Sequence, residues 1–144
     1  MKKEATSHDL DNELGDKAYL VVDTDAIDNN KIEIFKRILG EENDVFHLIL
    51  SNPCFEVWYL AHFTEAMRSF ANNRQVINAL KGYMPNYKKS DDVYQVLNER
   101  TDLAIQTAKR WNERHIEHGY DNLWDRNPSS CVYKIIEYVG SANQ

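Results

Sequence analysis

Lys17-Ala-Tyr-Leu-Val-Val-Asp23-Thr-Asp25 is the stretch on which the fold turns. Residues 18–22 are apolar without polar alternation and rich in β-branched and aromatic side chains. Such a run suits a strand buried on both faces of a parallel sheet. Asp23 and Asp25 then fall at its carboxyl end, where open α/β sheets place their sites. A second run of the same kind, Asp44-Val-Phe-His-Leu-Ile-Leu-Ser51, follows. Between the two, Asn29 or Asn30 can cap a helix with Ile34, Phe35, Ile38 and Leu39 on one stripe, stopped by Gly40. Strand, helix and strand in this order favour a right-handed βαβ unit with parallel strands. The fold class expected is α/β, with a thin sheet, since independent stability usually takes three strands or more.

Beyond Asn52-Pro53 the chain reads as helical. Residues 55–63 form a helix apolar almost all round, and residues 64–80 and 91–99 are further candidates around a Gly82/Pro85 loop. Residues 101–117 carry Ala104, Ala108, Trp111 and His115 on one stripe. Asn127-Pro128 has the pattern of an N-cap followed by proline at the first helical position. Val132, Ile135, Ile136 and Val139 then repeat at i, i+3, i+4 and i+7, with Gly140 closing the helix. Residues 1–16 are polar and acidic, expected as a tail, and residues 17–144 as one domain.

The 144 residues are 42% hydrophobic and 28% charged, which excludes disordered and collagenous classes. No run approaches the length of a membrane span, and the start lacks an apolar secretory segment. Cys54 and Cys131 show no paired-cysteine spacing, so a reduced, cytoplasmic protein is expected. The net charge of −6 lies wholly in residues 1–50, which hold six Lys/Arg against twelve Asp/Glu. A strongly basic nucleic-acid footprint is absent. Phosphate-loop, dinucleotide-fingerprint, nucleophile-elbow and zincin motifs are absent too, leaving those chemistries without support.

On a strand, Asp23 and Asp25 can turn both carboxylates to one spot, where they repel unless a cation lies between them. Oxygen-only ligands suit Mg²⁺ or Mn²⁺. The competing reading makes one of the pair a helix cap or turn residue. Glu56 and His62 interrupt an otherwise apolar segment, where a charge needs a partner. Glu56 can serve the first turn of its helix, and His62 can be a core histidine bonded to backbone. Lys88, within Tyr87-Lys88-Lys89, can present a cation to a phosphate or simply face solvent. The basic face Lys109, Arg110 and Arg114 reads as a solvated one.

Ser51-Asn-Pro-Cys-Phe-Glu-Val-Trp-Tyr-Leu-Ala-His-Phe63 resembles the hallmark S-N-P-x-F-E-x-W-x-L-x-H-F of the RloB-like family. Asp23-Thr24-Asp25 after its strand, Tyr87-Lys88 as a Y-x-K or Y-K step, Ala104 with Ala108, and Asn127-Pro128-Ser129-Ser130 with Val132 resemble further landmarks in order. The resemblance runs from about Ala18 to the end of the chain. It implies a TOPRIM-like fold, a small, mostly parallel sheet flanked by helices, with Mg²⁺ or Mn²⁺ held by Asp23 and Asp25. It also implies a place in prokaryotic antiphage defence, commonly beside an AAA/ABC-type ATPase. TOPRIM nucleases cleave phosphodiesters with such metals.

On this footing Asp23, Asp25, Glu56, His62 and Lys88 are the site residues of a metal-dependent nuclease. Glu56 and His62 would wall the site and Lys88 would meet phosphate. The family opens with a strand ending in Glu-Gly, whereas only 22 residues precede Asp23 here and none supplies that pair. The chain is therefore expected to correspond to the C-terminal part of a family member, with catalysis incomplete. The rival expectation is a non-catalytic subunit whose sheet edge docks the ATPase or a second copy. A plain structural domain with an accidental Asp pair comes third.

Overall fold

In the computed structural model, residues 18–27, 31, 33, 34, 37 and 46–142 are described. The two apolar runs form strands β1 (Ala18–Asp23) and β2 (Phe46–Asn52), paired in parallel from Ala18↔Phe46 to Asp23↔Ser51. Glu33, Ile34 and Arg37 between them are helical; the rest of the helix expected at 29–40, and the tail expected at 1–16, lie outside the described residues. A third strand, β3 (Ser129–Ser130), adds antiparallel on the other side of β2. The result is a small mixed α/β sheet in the order β1-β2-β3.

β2 is the strand buried on both faces. Ile49 joins the main core, while Leu48 and Leu50 pack with Val22 on the opposite face, under Ile27, Leu123 and Trp124. β1 departs from expectation. Val22 alone of its residues is buried and Val21 is 45% exposed, because among the described residues β1 lies at the sheet edge.

The helices are α1 (Glu56–Ala61), α2 (Asn73–Lys81), α3 (Tyr94–Leu97), α4 (Thr101–Glu117) and α5 (Tyr133–Ala142). α1 is buried almost all round, as its composition requires: Val57 and Ala61 are fully enclosed. The stripe on α4 seals it to this core through Ala104, Ala108, Trp111 and His115. The small alanines let α4 approach α1 closely. Of the basic face, Lys109 pairs with Glu137 of α5 and Arg110 with Glu65, so these two charges fasten neighbouring segments.

Two expectations fail for one shared reason. Residues 64–72 are not helical; α2 starts only after Asn72, whose side chain accepts from Gln75 N–H. Asn127 does not cap the last helix, which begins six residues later at Tyr133 and runs through Gly140. Instead the Asn127 amide clamps the backbone of Phe70, accepting from its N–H at 2.9 Å and donating to its carbonyl at 2.7 Å. Trp111 Nε1–H donates to Glu65 carbonyl at 3.0 Å. Side chains from distant segments thus meet the backbone of Glu65 and Phe70, and Thr64 and Gln75 meet that of Ala66 and Ala71, in place of helical bonds. Ser129–Ser130 are drawn into the sheet, and the Ser51 and Ser130 hydroxyls meet at 3.2 Å.

Both cysteines are buried and neither is in a disulfide. Among the described residues, no helix is long and apolar enough to cross a membrane.

Candidate functional site

Parallel pairing brings the carboxyl ends of β1 and β2 to one edge of the domain, with Asp23 opposite Ser51. The chain leaves β1 in a 3₁₀ turn, Thr24–Ala26, so Asp25 is not a strand residue and strand alternation does not orient it. The turn is pinned to the end of β2 instead. Asp25 N–H donates to Pro53 carbonyl at 3.0 Å, and Thr24 Oγ1 donates to Asn52 Oδ1 at 2.8 Å. Asn52 Nδ2 in turn donates to Trp124 carbonyl at 2.9 Å. The Ser-Asn-Pro segment therefore positions the aspartates.

The nearby backbone N–H groups of Phe55, for Asp23, and of Asn73, for Asp25, favour the ionised carboxylates. The side chain that caps α2 is Asn72, and Asp25 lies within the 3₁₀ turn. Burial pushes the Asp23 carboxyl above its ordinary range, with repulsion from Asp25 and Glu56 adding to it. Burial likewise raises Asp25, against the pull of the Asn73 N–H and of Lys89.

Glu56, at the first position of α1, is 5% exposed and lies within electrostatic reach of both aspartates. Tyr87 Oη donates to its Oε2 at 2.9 Å. Its Oε1 is buried with no hydrogen-bond donor, and Lys89 Nζ stands 3.5 Å away, an ion pair without hydrogen-bond geometry. Tyr87 is held un-ionised, first by burial and then by that bond to Glu56. Burial pushes the Cys54 thiol up to about 12, and the charges of Glu56, Asp25 and Asp23 add to it. A thiol so placed is no nucleophile.

Of the five residues named from sequence, the structure brings together Asp23, Asp25 and Glu56. His62 turns the other way: its Nδ1–H donates to Trp58 carbonyl at 2.8 Å, and its ring sits edge-on to Trp58 at 4.9 Å. Burial lowers its pKa and keeps it neutral. Lys88 is exposed, and its backbone N–H donates to Asp91 at 2.8 Å. The neighbouring Lys89 carries the ammonium at the carboxylates. Sequence reasoning passed over Lys89 and Tyr87 as site residues. The adjacent lysines stand in a loop, and only the contact across more than thirty residues to Glu56 separates them.

The donor set is oxygen-only and anionic, which suits a hard divalent cation. Among the described residues, no three His, Cys, Asp or Glu side chains stand as a ready ligand cage. Mg²⁺ is commonly held by one or two carboxylates, with water or phosphate oxygens completing its shell. Asp23 and Asp25 fit that demand.

Comparison with curated proteins found no match, and comparison with solved structures found none either. A family model described as RloB-like protein matches residues 1–139, taking in the acidic first segment as well as the two strands, the Ser-Asn-Pro segment and α4. With almost its whole length matched, the chain belongs to the RloB-like protein family.

Proposed function

We propose that the acidic end of the sheet is a divalent-cation site serving phosphodiester chemistry, in a TOPRIM-like domain of a prokaryotic antiphage defence system. One observation carries the reading: two aspartates at the end of the sheet, within electrostatic reach of a buried glutamate with an undonated oxygen. Three carboxylates repelling one another at a partly buried place are costly without a cation. Asp23 and Asp25 would hold Mg²⁺ or Mn²⁺. When bound, such an ion supplies charge stabilisation to the attacking and leaving oxygens of a phosphoryl displacement. The chain's own contribution is orientation. The turn carrying Asp25 is pinned to Asn52 and Pro53, and Tyr87 fixes Glu56. His62 supports the wall through α1, and Lys88, exposed on the loop that carries Lys89, is free to meet a nucleic-acid phosphate.

The test is Mn²⁺ and Mg²⁺ titration calorimetry on the chain, beside Asp23→Asn and Asp25→Asn. Binding that disappears in both variants supports the site, and cleavage assays on DNA and RNA follow. No binding at millimolar metal in folded protein removes the catalytic reading.

The second reading is a non-catalytic subunit docking an AAA/ABC-type ATPase or another copy. Its support is β1, which lies at the sheet edge among the described residues with Val21 half-exposed. Unpaired edges favour strand addition by a partner.

A further inference from the structure

Lys89 is the lysine of the Tyr87-Lys88-Lys89 loop that reaches the acidic end of the sheet. Its stem is half-exposed, yet its ammonium comes to 3.5 Å from the one buried glutamate oxygen that lacks a donor. From there it also acts on Asp23 and Asp25. Among the described residues, one lysine ammonium therefore acts on all three carboxylates. Tyr87 holds Glu56, and the bonds to Asn52 and Pro53 hold the turn that carries Asp25, without it. The ion pair is long and lacks hydrogen-bond geometry, so little binds the ammonium there besides charge. A divalent ion arriving at the aspartates would meet the same field and would have to displace or outweigh it.

We propose that Lys89 is the built-in counter-cation of this acidic end and competes with the divalent metal for it, setting the metal affinity of the site. The inference rests on the metal reading above. Lys89 holds Glu56 when no ion is bound and swings to solvent when one is, a movement its half-exposed stem permits. The two lysines of the loop then differ in kind. Removing charge at Lys88 changes only the overall field, which salt screens over about 10 Å. Removing it at Lys89 deletes the competitor.

The experiment titrates Mn²⁺ alone into wild type, Lys89→Gln, Lys88→Gln and Lys89→Arg by calorimetry at fixed ionic strength. Lys89→Gln is expected to tighten Mn²⁺ binding about fivefold, the worth of one partly exposed ion pair. Lys88→Gln, carrying the same net charge, and Lys89→Arg, keeping the local one, are expected to stay within about twofold of wild type. Binding by Lys89→Gln where wild type binds nothing supports the proposal as well. Equal affinity in Lys89→Gln and Lys88→Gln, or weaker binding in Lys89→Gln, overturns it while leaving the metal site standing. No binding in any of the four overturns both readings. Loss of binding in Asp23→Asn, with wild type and Lys89→Gln alike, overturns the competition alone.

Discussion

Tyr87→Phe removes one oxygen and isolates what holds Glu56. The hydroxyl donates to a carboxylate at 2.9 Å, and both residues are 5% exposed, so solvent does not readily replace the bond. Hydrogen bonds to charged groups contribute about 1.5–3 kcal/mol, and a buried acceptor left unmet carries its own desolvation cost. Glu56 retains only Lys89, whose half-exposed ammonium is worth about 1 kcal/mol at most. A loss of about 2 kcal/mol at neutral pH is expected, which for a domain of this size lowers Tm by about 6 °C. Urea unfolding followed by tryptophan fluorescence measures it, with an unchanged slope showing that both end states are preserved. In a Glu56→Leu background the same substitution should be neutral or stabilising, because the hydroxyl no longer has a carboxylate to meet. A loss below about 0.5 kcal/mol in the wild-type background, or the same loss in both, would refute the reasoning.

Asn127→Ala deletes both hydrogen bonds to the Phe70 backbone, which is buried, and should cost about 2–3 kcal/mol by urea unfolding. Asp23→Asn removes a charge that burial and neighbouring carboxylates disfavour, so the metal-free variant should melt higher than wild type, by up to about 1 kcal/mol after solvent screening. An unchanged or lower Tm would count against the repulsion described at this end of the sheet. Burial lowers the pKa of His62 and His115, which donate to backbone carbonyls as neutral rings. The unfolded chain therefore takes up protons first, and stability falls as pH drops below about 6.5, levelling once the folded histidines also charge. His115→Gln should flatten that slope in unfolding measured from pH 7.5 to 5; a slope unchanged by the substitution would remove His115 from the account.

What the sequence makes legible follows from where the folding information is local. β1, β2, α1 and α4 are each fixed by the run or period of their own side chains, and they appear where those patterns put them. The Ala104, Ala108, Trp111, His115 stripe marks the buried face of α4 because one helix face suffices to define it. Residues 64–72, by contrast, have a backbone satisfied by Asn127 and Trp111 from more than forty residues away, and no periodicity records such a partner. β3 is two residues long, and two residues carry no alternation.

The acidic site shows the same division. Asp23 and Asp25 are legible from the strand they follow, and Glu56 from its cost in an apolar helix. Whether such a glutamate is a local cap or part of a site depends on what meets it across the fold, and here that is Tyr87 and Lys89 from one loop. That arrangement also explains why Glu56 can stay buried beside two aspartates. A neutral hydroxyl fixes one oxygen without cancelling the charge, and a mobile ammonium offsets the charge without filling the other oxygen's hydrogen-bonding position. A well-paired arginine at position 89 would stabilise the metal-free protein more and leave less charge for an incoming ion. Tyrosine and lysine together keep Glu56 in place while leaving one of its oxygens without a donor, the arrangement the proposed cation site calls for.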